Sequence, residues 1–115
     1  MANQYKDWSE DQIRAVWNKG RVIPGLDSNK LRQDLAGAWI EYSQYGNHDN
    51  DLGFGWEIDH RVPKSRNGTD DISNLRPLQW ENNRSKGDNY PIWSSIISSD
   101  GDKNIRKTQS WSLEQ

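Results

Sequence analysis

Apolar positions are sparse along this chain and fall into short groups separated by polar stretches. Ile13, Val16 and Trp17 share one face at helical spacing. Ser9 stands ahead of them as an N-cap with Gln12 as its capping-box partner, and Trp8 and Ile13 are placed as a hydrophobic staple. The pattern predicts a helix over Ser9–Lys19, stopped at Gly20. Val22–Gly25 reads as a turn, and Asp27 or Ser28 as the cap of a second short helix through Leu31 and Leu35. Gly37–Tyr42 alternates as a strand, with Ile40 and Tyr42 flanking Glu41. Tyr45–Gly55 is loop-like. Trp56–Asp59 is a second strand, Pro63–Asp71 a surface loop, and Leu75–Trp80 a third strand interrupted by Pro77. Glu81–Lys86 is a short helix stopped by Gly87. Ile92, Trp93, Ile96 and Ile97 are spaced to pack as one more helix, and from Ser98 onward a polar tail, 98–115, is expected to be poorly ordered except near Trp111.

Composition changes this picture in two ways. Seven tryptophans stand in an otherwise polar chain of 115 residues, and Trp8, Trp17, Trp39, Trp56, Trp80 and Trp93 are expected to supply the mass of a thin core. Pattern alone leaves the surroundings of Trp93 and Trp111 open. Cysteine is absent, which excludes disulfides and thiolate zinc sites. The length suits one domain, 1–115. The N-terminus lacks the basic and apolar regions of a signal peptide, and no apolar run spans a membrane, so the expected setting is cytoplasmic. A formal net charge of −2 argues against an extended surface for coating nucleic acid, but leaves room for a local basic rim.

The chemistry-bearing segment is Ile58-Asp59-His60-Arg61-Val62-Pro63-Lys64-Ser65, then Asn74-Leu75, then Asn82-Asn83-Arg84-Ser85-Lys86-Gly87-Asp88. Asp59 and His60 offer a metal ligand and a general base in one dipeptide. Successive strand residues point to opposite faces, so a shared site requires the strand to end or twist there, as Pro63 would favour. Asn83 offers a hard carbonyl oxygen, and Lys86, three residues on, shares its helix face and could reach a phosphate. Taken singly, each of these features is more often plain loop, turn or surface chemistry.

Together, Ile58-Asp59-His60, the following Pro and Ser, Asn74-Leu75, Leu78 and Asn83-x-x-Lys86-Gly87 resemble the HNH endonuclease pattern in order and spacing, from Trp56 to Asp88. The resemblance implies an α+β fold: a small ββα-metal (His-Me finger) core over 56–88 with an added N-terminal helix and strand. It implies a metal-dependent endonuclease that hydrolyses DNA phosphodiester bonds. His60 would be the general base, Asp59 and Asn83 the ligands of one divalent ion, and Asn74 an orienting residue beside His60. Arg61, Arg84 and Lys86 would contact nucleic acid. Oxygen ligands favour Mg²⁺ or Mn²⁺ over Ni²⁺ or Zn²⁺. Asn82 is expected to face away from the site and to tolerate change. Many members carry zinc-binding cysteines beside the motif; here the tryptophans are expected to hold the core instead. Two other readings compete. One is a nuclease toxin with an immunity or accessory partner; the other is a non-catalytic DNA-binding module on the same fold.

Overall fold

The computed structural model describes residues 8–112. Helix α1 (Glu10–Trp17) begins at the predicted cap: Ser9 Oγ accepts from the Gln12 backbone amide at 3.1 Å, and the Gln12 side chain accepts from the Ser9 amide at 2.9 Å. Strands β1 (Arg21–Val22), β2 (Leu31–Gln33) and β3 (Trp39–Glu41) form an antiparallel sheet in that order. The helix expected through Leu31 and Leu35 is therefore strand β2. Asp27 does not cap a helix; its carboxylate accepts from the Asn29 amide and closes a turn. The residues β2 and its turn bury are Arg32 and Asp34 rather than the leucines.

Strand β4 (Trp56–His60) pairs antiparallel with β5 (Leu75–Gln79), from Trp56 opposite Gln79 to His60 opposite Leu75. Pro77 does not interrupt β5; it sits opposite Ile58 in the ladder. Helix α2 (Trp80–Lys86) follows directly and ends at Gly87, whose φ of 51° favours glycine. The hairpin is buried on both faces. Trp56, Ile58 and Leu75 join Trp8, Val16, Trp17 and Ile40 in the apolar cluster under α1. On the other face Glu57 and Asp59 meet α2, and Arg76 pairs with Asp59. Trp17 and Trp56 are fully buried, 5.3 Å apart between ring centroids. Truncating either to alanine would cost about 3–5 kcal/mol.

The C-terminal expectation is corrected. Trp93–Asp100 is strand β6, not a helix, and it pairs with β7 (Lys103–Trp111) in a hairpin that occupies most of the expected polar tail. Burial along β6 runs with a period of two through Trp93, Ser95 and Ile97 until an irregularity between Ser95 and Ile97 brings Ser98 inward as well. Trp111 stacks on Trp93 at 6.0 Å, so the two tryptophans that the pattern left open pack on each other. Of the six expected to form the core, Trp80 is only half-buried, its indole N–H donating to the Asn50 carbonyl.

Tryptophan is not the only material joining these layers. Asp34 is fully enclosed. One carboxylate oxygen accepts from the Ala36 and Ala38 amides, and the other from the Gln79 amide and the Asn82 side chain. Burial pushes its carboxyl above the usual range, while these four donors pull the other way. Asn82 Oδ1 accepts from the Ile96 and Ile97 amides, and its Nδ2 also donates to the Ile97 carbonyl. Asn104 of β7 bonds both backbone groups of Trp39. Buried polar groups with every partner in place fix one arrangement of the elements they join. Here they join the turn after β2, the start of α2 and the C-terminal hairpin.

Candidate active site

The loop from Arg61 to Asn74 is built to hold the end of β4. Asn74 is buried. Its Oδ1 accepts from the Val62 amide, and its Nδ2 donates to the Val62 and Thr69 carbonyls at 3.1 and 2.9 Å. The Arg61 amide donates to the Asn74 carbonyl at 2.8 Å. Gly68 folds back so tightly that a Cβ there would lie 1.7 Å from the Val62 oxygen. These constraints bring Asp70 to His60: Nε2 and the carboxylate oxygen are 2.8 Å apart, with the His60 side chain 15 % exposed. Lys64 approaches the same carboxylate at 3.4 Å, and Trp8 packs near the imidazole at 5.9 Å.

The strand neither ends nor twists out of register at Asp59. The ladder continues regularly through His60, so the two side chains leave opposite faces. Asp59 is buried toward α2. Its Oδ2 accepts from Arg76 Nε at 2.9 Å, and its Oδ1 lies 3.2 Å from Lys86 Nζ. The same ammonium donates to the His60 carbonyl at 3.0 Å. Asn83 faces β4 as its spacing with Lys86 predicted, but its Nδ2 donates to Glu57 Oε1 at 2.8 Å. Arg84 pairs with the other Glu57 oxygen at 3.0 Å.

The structure thus joins Asp59 with Lys86, Asn83 with Glu57, and Asn74 with the loop that follows His60. It does not bring the His60 ring to Asp59 or Asn83. Lys86 is 1 % exposed, so its ammonium serves the interior and is not presented to a phosphate. Burial holds its pKa below the ordinary lysine value against the pull of Asp59. Asn82 faces away from this site as expected, but toward the interior, where its four hydrogen bonds leave no room for change.

A divalent ion does not fit this arrangement of Asp59 and Asn83. Both oxygens of the one carboxylate are spent on cations, and a further dication would stand beside Arg76 and Lys86. Among the described residues no group of three His, Asp or Glu side chains is gathered for a metal.

Three residues of the site escaped the sequence reading. Glu57, two before Asp59, necessarily shares its face, so strand periodicity carried that signal. Arg76 opposes Asp59 only by virtue of the hairpin register. Asp70 depends on the path of a long loop, for which the sequence carries no comparable signal. His48, given no catalytic role, turns Nδ1 to the Gly46 carbonyl in its own loop. No curated protein and no solved structure matches the chain significantly. Residues 41–89, which carry Glu57, Asp59, His60, Asp70, Asn74, Arg76, Asn83 and Lys86, match the model of the HNH endonuclease family.

Proposed function

We propose that the protein is an endonuclease that hydrolyses DNA phosphodiester bonds, with His60 as general base. The observation that carries this reading is the 2.8 Å contact of His60 Nε2 with Asp70, at the end of a strand whose following loop is clamped by Asn74. A carboxylate accepts, so the ring nitrogen facing it bears the hydrogen, and Nδ1 is left as the basic nitrogen. Asp70 also stabilises the imidazolium that forms when the ring takes a proton from water. Asn74 acts as a positioning residue, since releasing it frees the loop that brings Asp70 to the ring. Arg61 and Arg84 remain candidates for phosphate contacts.

The family generally works with a divalent metal. Mg²⁺ or Mn²⁺ is the choice that fits oxygen donors. For Asp59 and Asn83 to accept such an ion, the Lys86 ammonium would have to give up Asp59 and the Asn83 amide would have to leave Glu57. Nicking of supercoiled DNA by the wild-type chain and by His60→Ala and Asp70→Asn, each with Mg²⁺, with Mn²⁺ and with EDTA, tests the nuclease reading. Expected are cleavage by the wild type, loss in His60→Ala and a smaller loss in Asp70→Asn. Undiminished nicking by His60→Ala would overturn the role of His60, and no nicking by the wild type under any of these conditions would favour the non-catalytic binding module.

A further inference from the structure

Beside the motif lies a cleft of about 440 Å³ whose lining includes Lys19, Arg21, Arg61 and Arg76. A chain with a net charge of −2 has gathered four cationic side chains from three separate parts of its sequence around one hollow. Arg76 is paired with the buried Asp59, and the acidic lining residue, Asp34, does not face the other three. Both of its oxygens are turned inward onto buried donors. Lys19 stands where α1 has just ended, held by the Ile72 and Leu75 carbonyls. Burial lowers its pKa, and the neighbouring charges of Arg61 and Arg76 lower it further. Cations crowded together repel, and an anion among them relieves that repulsion.

We infer that this cleft binds the phosphodiester backbone of the DNA substrate and leads it to the His60 end of the hairpin. The inference rests on the nuclease reading above and adds a binding surface outside the motif, supplied in part by the end of α1 and by β1. Two connections orient the strand. Arg61 adjoins His60 in the chain, and Arg76 spans from the cleft to Asp59 at 2.9 Å. Lys19, Arg21 and Arg61 would contact phosphates without regard to base, so the surface would fix the position of the duplex rather than its sequence.

Fluorescence anisotropy of a labelled 20-base-pair duplex, titrated with the full chain carrying His60→Ala to prevent cleavage, tests the inference. Arg21→Gln is the primary variant, because β1 is exposed and only two residues long. Lys19→Gln is the second, with thermal unfolding measured alongside because its ammonium also holds backbone carbonyls. Lys107→Ala, exposed on β7 away from the cleft lining, is the control. Expected is a loss of affinity on the order of 5-fold per cleft charge and a salt slope shallower by about one per contact removed, with little change in the control. Equal effects at Arg21 and Lys107, or unchanged affinity in Arg21→Gln, would overturn the inference. So would capture of inorganic phosphate without capture of the duplex. Binding through the cleft in a chain that never cleaves would leave this inference standing and remove the nuclease reading. Cleavage with normal binding in the cleft variants would do the reverse.

Discussion

At the scale of single residues, Lys86 lacks the accessibility that its spacing with Asn83 suggested, and His60 does not. His60 keeps a partly open ring with a carboxylate behind it. His60→Ala should reduce DNA nicking by roughly 10²–10⁴-fold, the usual worth of a general base, with thermal unfolding and duplex affinity nearly unchanged. Parallel loss of stability and activity would assign the residue to packing. Lys86 makes the opposite prediction. Removing its ammonium leaves Asp59 buried with Arg76 alone, so Lys86→Ala should lower the unfolding free energy by about 3 kcal/mol, the low end for breaking a buried ion pair. In the double variant Asp59→Ala/Lys86→Ala, denaturant titration should show part of that loss recovered. Strict additivity of the two changes would mean that the pair is not coupled.

Elements were legible where their apolar positions kept a period and their ends carried ordinary signals. Helix α1 was marked by the Ser9–Gln12 box, and the β4–β5–α2 succession by Trp56, Ile58, Leu75 and Leu78 with Gly87 as a stop. The reading failed where the buried positions are polar. Arg32 and Asp34 are enclosed along β2 and its turn, and Ser95, Ser98 and Asn104 along β6 and β7, so an apolar template found Leu31, Leu35 and the isoleucines and took them for helix faces. Half of the candidate site was lost for a related reason. Which acid reaches His60 is decided by a loop path, and which cation reaches Asp59 by a register, and neither leaves a period in the sequence. Asn82 shows the cost of such a miss. Asn82→Ala would strand the Ile96 and Ile97 amides and remove one donor from Asp34. A loss of at least about 2 kcal/mol is expected, at about 1–3 kcal/mol for each buried group left unsatisfied. A denaturant midpoint within error of wild type would show that water replaces the amide there.

At the scale of the whole molecule, the C-terminal hairpin is part of the body of the protein. Trp93 and Ile97 are buried in it, and α2 rests on it through Asn82 and through Ser85, whose hydroxyl donates to the Ser94 carbonyl at 2.6 Å. A chain ended after Asp100 should lose cooperative unfolding near the wild-type temperature, as followed by tryptophan fluorescence; a wild-type transition would show that β7 is an accessory. The enclosed polar network has a different consequence, for how the protein withstands its surroundings. Joints made of amides and one carboxylate contain nothing that an oxidant would couple or a thiol reagent would cap. Among the described residues no three His, Asp or Glu side chains are gathered for a structural ion that a chelator would extract. EDTA should therefore leave the circular dichroism spectrum and melting temperature of this chain untouched, and any change in DNA nicking on its addition would report on the reaction and not on the scaffold.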